Sequence, residues 1–155
     1  MSDARTTLEG LFEAVLDGMG LDGEVSVAEN AEGEIAVNVA GEGLDPLIGR
    51  DGAVIDALQY LAHQVALRAS GGEPRRVSLD AGGYRERRRR QLERLAAHAA
   101  AEAIEHGEEI ELDAMTPHDR RIVHMALAER ADIVTRSEGD EPHRRIVVLP
   151  ASLAD

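Results

Sequence analysis

The sequence predicts an α+β protein in two compact sections, an α-β-β-α-α-β unit over residues 1–80 and a small α-β-α-β-β unit over residues 81–155. Three observations point to it. Alternating apolar residues, Val25 and Val27, then Ile35, Val37 and Val39, stand ahead of a helix, glycine loop, helix arrangement, and a third β-rich run, Arg76–Asp80, follows it. A break at Gly71-Gly72-Glu73-Pro74 and the segment D-A-G-G-Y at Asp80–Tyr84 separate this unit from the remainder. The second section opens on an arginine-rich helical stripe and carries two further β-rich runs near its end.

Taken in order, Thr6-x-x-Glu9 reads as a capping box, and Leu8, Leu11, Phe12, Val15 and Met19 form the apolar stripe of a first helix that ends at Gly18 and Gly20. The two valine-rich runs flank an Asn30-Ala31-Glu32-Gly33 turn, which predicts a hairpin with one buried face. Asp45 is placed to cap a short helix and Pro46 suits its first position. Gly49 and Gly52 then frame an exposed loop, Gly49-Arg50-Asp51-Gly52, where the backbone turns sharply and approaches another surface with no Cβ in the way. Val54, Leu58, Leu61 and Val65 commit one face of the next helix to a core.

In the second section Leu92, Leu95, Ala96, Ala99 and Ala103 place the run Arg85-Glu86-Arg87-Arg88-Arg89-Arg90 on a helix rather than in a basic tail. Cations at a helix N-terminus oppose its dipole, which favours a phosphate partner; the plainer reading is a solvated helix start. Ile110 and Leu112 form a short strand. Thr116, Pro117 and Asp119 mark a helix start, with Ile122, Val123, Ala126 and Leu127 as its buried stripe and Arg120 and His124 side by side at the border. Strands over 132–137 and 144–149 are joined by Glu138-Gly139-Asp140-Glu141-Pro142.

Composition narrows the function. The formal net charge is −13, yet residues 75–94 carry eight arginines against three acids while residues 1–74 carry three against fourteen. Every basic side chain is arginine, whose planar fork suits phosphate. With a Debye length of about 8 Å a distant acidic segment does not cancel this basic one. Two tyrosines and one phenylalanine argue against a base-stacking platform. The chain has no cysteine, none of its six histidines stands at H-x-x-x-H or H-E-x-x-H spacing, and no phosphate-binding lysine loop or G-x-S-x-G is present. No enzyme, metal or cofactor is expected. No run approaches the ~20 apolar residues that span a bilayer, and no secretory segment opens the chain, so a cytoplasmic location without membrane insertion is the expectation.

Helix, GxxG, helix is the arrangement in which a KH domain clamps about four nucleotides by their backbone. The α-β-β-α-α-β order is that of a type II KH domain. The stretch L-I-G-R-D-G-x-x-I-D-A-L-Q-Y-L resembles the KH module of the Jag family of bacterial RNA-binding proteins. Arg120-x-x-x-His124, set in M-T-P-H-D-R-R-I-V-H-M-A-L and followed by V-T-R-S-E-G-D-E-P-H-R-R-I-V-V, resembles the R-x-x-x-H domain that forms the C-terminal half of that family. The two resemblances cover essentially the whole chain.

They imply a non-catalytic protein that binds single-stranded RNA, with single-stranded DNA left open. Gly49, Arg50, Asp51 and Gly52 would track the backbone. Arg85, Arg87, Arg88, Arg89 and Arg90 would attract it electrostatically. Arg120 would act as a fixed cation and His124 as a neutral ring on a second segment; otherwise Arg120 pairs with a nearby acid and His124 is a satisfied border residue. The family also implies a small KH-only protein partner, with a homodimer left open, and a role in cell elongation or envelope growth. Two departures stand out. Many members carry a further small N-terminal domain, which the chain is expected to lack, and Asp51 puts a negative charge in the loop, which implies either a weaker clamp or a contact to a base or ribose hydroxyl.

Overall fold

In the computed structural model, which describes residues 3–154, the first helix, α1, runs over Ala4–Met19 and starts ahead of the expected capping box. Asp3 is the cap: its carboxylate accepts from the Arg5 N–H, and an acid suits the positive end of a helix better than Thr6 does. Gly20 closes α1 in the left-handed conformation. The buried face is Leu8, Phe12 and Leu16, with Leu11 and Val15 at its flanks, whereas Met19 is exposed.

Strands β1 (Glu24–Glu29) and β2 (Ile35–Ala40) form the expected antiparallel hairpin, its turn held by the Asn30 side-chain oxygen accepting from the N–H groups of Glu32 and Glu34. β2 buries Ile35, Val37 and Val39 and exposes the residues between them. Helix α2 (Asp45–Ile48) begins with Asp45 already inside it; Leu44 holds the cap position without a side-chain bond, so the expected Asp45 cap is not formed. Leu47 and Ile48 anchor α2 in the core. A 3-10 turn, Arg50–Gly52, leads into α3 (Ala53–Ala69).

The buried positions of α3 are Ile55, Ala62 and Ala66, with Leu58 and Val65 partly covered. Val54 and Leu61, expected in the core, are exposed. One position is about 100° of helix rotation, and the small side chains at 62 and 66 let the helix backbone lie close to its neighbours. β3 (Val77–Ala81) pairs parallel to β2, giving the sheet order β1-β2-β3 with β3 at one edge. The outward N–H of Leu79 on that edge is taken by the Gln59 side-chain oxygen of α3 at 3.0 Å.

The element order of a type II KH unit is therefore present. The chain divides into two compact units, Met1–Arg85 and Glu86–Asp155, so that Tyr84 and Arg85 count with the first. The second unit comprises most of α4 (Tyr84–His106), then β4 (Ile110–Glu111), α5 (Pro117–Leu127), β5 (Ile133–Glu138) and β6 (Arg145–Pro150). Its sheet is antiparallel in the order β4-β6-β5. The α4 face Leu92, Ala96, Ala99, Ala100 and Ala103 packs with Val123 and Leu127 of α5 and with Ile133, Ile146 and Val148 of the sheet. Leu95 and Ala126, expected in this core, lie outside it and are exposed. Thr116 caps α5 as expected, accepting from the Asp119 N–H at 3.3 Å.

Candidate nucleic-acid interface

The loop between α2 and α3 requires both of its glycines. Gly49 has φ +74° and Gly52 φ +80°, in the range where side chains are strained. A Cβ at Gly49 would overlap Val54 Cγ2 and lie 2.8 Å from Val54 Cβ. At Gly52 it would overlap the Tyr84 hydroxyl oxygen and lie 3.1 Å from Cε1 and Cζ of the ring. Asp51 between them is also left-handed, at φ +52°, a conformation that aspartate tolerates better than most residues. Gly52 is buried, so the loop presents less than its full length: Arg50 and Asp51 face solvent. Arg50 makes no ion pair among the described residues.

The arginine run is less free than its composition suggests. Arg85 is half-buried and bonds to Asp56 Oδ1 at 2.6 Å, to Gln59 Oε1 at 3.2 Å and to the Leu79 carbonyl at 3.1 Å. Arg88 donates through Nε and Nη2 to Asp119 Oδ2, at 2.9 and 2.7 Å, and ties α4 to α5. Arg89 and Arg90 stay on the surface, paired with Glu86, and Arg89 also reaches Glu93. The guanidinium groups, Arg89 first, hold the Glu86 carboxyl below its ordinary value. Arg87 is exposed on the same turn. Arg85 and Arg88 are therefore structural ties. Arg87, Arg89 and Arg90 form the accessible part of the run, and exposed pairs such as those of Arg89 and Arg90 with Glu86 are individually weak.

On α5 the structure brings Arg120 and His124 onto one side and turns that side inward. Arg120 is buried, its Nη1 donating to the Met115 carbonyl at 2.8 Å and its Nη2 to the Glu141 carboxylate in the β5–β6 turn. That contact holds the Glu141 carboxyl below its ordinary value. Arg120, read from the sequence as a fixed cation or else as the partner of a nearby acid, is here paired with an acid and fastens a turn to a helix. His124 is half-buried, with Nδ1 2.5 Å from Thr135 Oγ1 on β5. The neighbouring exposed positions on α5 are Arg121, with no ion pair among the described residues, and Met125.

Burial, and then the Arg120 guanidinium, hold the His124 imidazole below its ordinary value of 6.5, so the ring is neutral at pH 7. Between the lowered folded value and the unfolded one, the unfolded chain binds a proton that the folded chain does not. Stability conferred by the neutral ring is full above about pH 6.5 and falls as pH drops below it. The denaturation midpoint is expected to be lower near pH 5.5 than near pH 7.5, and less so in His124→Gln. An identical pH dependence in the two proteins would place the effect on another group.

Sequence reasoning missed Tyr84, Asp56 and Gln59 behind the loop, and Asp119, Glu141 and Thr135 around α5. Tyr84 alone carried a signal, as one of two tyrosines and the last residue of D-A-G-G-Y.

Two family profiles match the chain: that described as KhpA/KhpB, KH domain, over residues 5–79, and that of the R-x-x-x-H domain, over residues 90–150. Among relatives, the RNA-binding protein KhpB of Clostridium symbiosum is 39% identical over 138 residues, which is 88% of this chain and 62% of that protein. The protein of the same name from Lactiplantibacillus plantarum is 44% identical over 102 residues, 66% of this chain and 31% of that one. That of Bacillus subtilis is 29% identical over 150 residues, 96% and 69%. The chain thus spans less than two thirds of the length of the first two.

Proposed function

The chain belongs to the Jag/KhpB family, a KH domain followed by an R-x-x-x-H domain, and from that premise we propose that it binds single-stranded RNA without catalysing a reaction on it. The observation that carries this reading is the loop in which Gly49 and Gly52 are both left-handed and Arg50 stands exposed without a carboxylate partner among the described residues. Arg50 and Asp51, framed by Gly49 and Gly52, track the sugar-phosphate backbone. Arg87, Arg89 and Arg90 add attraction, the latter two by exchanging Glu86 or Glu93 for phosphate. The α5 surface at His124, with Arg120 holding it in shape, receives a second segment, and two modest sites on one chain gain through effective concentration. Single-stranded DNA offers the same backbone charge and is a competitor to test. The wider role proposed with RNA binding is cytoplasmic post-transcriptional regulation tied to cell elongation and envelope growth. No helix among the described residues is long and apolar enough to cross a membrane.

Fluorescence anisotropy of a short single-stranded RNA at a series of salt concentrations tests the reading. Affinity is expected to fall linearly on logarithmic axes, with Arg50→Ala weaker and its slope shallower by about 0.7, the share of one phosphate contact to a single strand. Absence of binding at low salt, or an Arg50→Ala slope equal to the native one, would overturn it.

A second reading has its own observation. Val54, Tyr60 and Leu61 leave α3 with exposed apolar side chains. Such a face suits pairing with a small KH-only protein or with a second copy of this chain. Association that persists at high salt and is lost in Leu61→Glu supports this reading.

A further inference from the structure

We propose that Tyr84 and Arg85 are positioning residues that hold the Gly49–Gly52 loop in its binding geometry, so that the working KH module extends through the first two residues of α4. The Tyr84 ring lies against Gly52, leaving no room for even a methyl group between them. Arg85 grips the helix that follows the loop. Its Nη1 and Nη2 reach Asp56 and Gln59 in the first two turns of α3, its Nε bonds to the Leu79 carbonyl, and its own N–H donates to Asp80 Oδ1 at 3.0 Å. The guanidinium carbon is 6.0 Å from the Tyr84 ring centroid, so the two side chains form one support.

The backbone bonds of the loop itself are short-range. Gly49 donates to the Asp45 carbonyl at 2.9 Å, and the Gly52 N–H reaches the Gly49 carbonyl only at 3.3 Å. Gly49, Asp51 and Gly52 all sit at positive φ, a combination that persists where surrounding structure over-determines it. A glycine loop left to itself loses the most conformational entropy on binding, and holding it beforehand in the bound shape converts that cost into affinity. Tyr84 and Arg85 supply that constraint from the end of the unit, about thirty residues along the chain from the loop they support.

The binding arm of the test rests on the RNA reading; the exchange arm does not. In the intact chain, Tyr84→Ala is expected to speed amide exchange at residues 50–53 while leaving β2 amides protected, and Tyr84→Phe is expected to restore slow exchange. With the single-stranded RNA probe, Tyr84→Ala is expected to bind about tenfold more weakly, the size of one charge-assisted contact, and Tyr84→Phe within about twofold of native. Adding Arg50→Ala to Tyr84→Ala is expected to cost little more, because a loop that is no longer held has already lost that contact. Unchanged exchange at residues 50–53 in Tyr84→Ala overturns the proposal, as does a β2 loss of protection equal to that of the loop. A native chain that binds no RNA overturns the functional reading and leaves the exchange result to decide the clamp.

Discussion

Replacing Arg88 by alanine is expected to destabilise the second unit by about 3–5 kcal/mol, because it takes away a cation that donates twice to a buried aspartate. Asp119 is 2% exposed, and both of those hydrogen bonds end on its Oδ2. Their loss falls on a carboxylate held away from water on α5, the helix whose Val123 and Leu127 enter the core. Far-UV circular dichroism during chemical denaturation, together with amide exchange in α5, reads the loss. Tyrosine emission does not serve, since Tyr60 and Tyr84 both lie in the first unit. The paired change Arg88→Met with Asp119→Leu is expected to recover most of the stability, because an apolar pair of similar volume needs no desolvated charge. If Arg88→Ala instead melts like the native chain and only RNA binding suffers, Arg88 belongs with the surface cations.

Gly52→Ala is the second large effect. A methyl group there meets the Tyr84 hydroxyl, and φ +80° is strained for any side chain, so backbone strain of about 1–3 kcal/mol adds to the steric overlap. The expected outcome is a destabilised first unit and weakened RNA binding together. For that reason glycine substitutions in this loop report on fold as well as contact, and Arg50→Ala is the cleaner probe of the interface. Combining Gly52→Ala with Tyr84→Phe removes the hydroxyl overlap but leaves the φ penalty and the 3.1 Å approach to Cε1 and Cζ of the ring, so only part of the stability is expected to return. A Gly52→Ala protein with native stability and native affinity would show that the ring simply moves aside.

The features legible in the sequence are those decided locally. The Asn30 turn, the Thr116 cap and the alternation of Ile35, Val37 and Val39 each follow from a few adjacent residues, and each is formed as expected. The orientation of α3 was not legible, because Leu61 outranks Ala62 in hydrophobicity while the close approach of the helix favours the alanine. The partners of the arginines were not legible either. Asp56 lies 29 residues from Arg85, Asp119 31 residues from Arg88, and Glu141 21 residues from Arg120. Spacing along the chain says nothing about such pairs. A run that reads as a basic stripe thus becomes two internal ties and a smaller accessible patch, and part of the acidic excess is already engaged.

The edge strand β3 has a consequence in crowded solution. A sheet border with free amide and carbonyl groups is a template on which another chain can add a strand and begin an aggregate. On this border the outward N–H of Leu79 is engaged by Gln59 and its carbonyl by Arg85. An incoming strand would have to displace both side chains at once, giving up the Asp56 ion pair along with them. The residues that steady the loop therefore also blunt the sheet against self-association, and weakening them to make the loop more pliable would expose a surface prone to fibril growth.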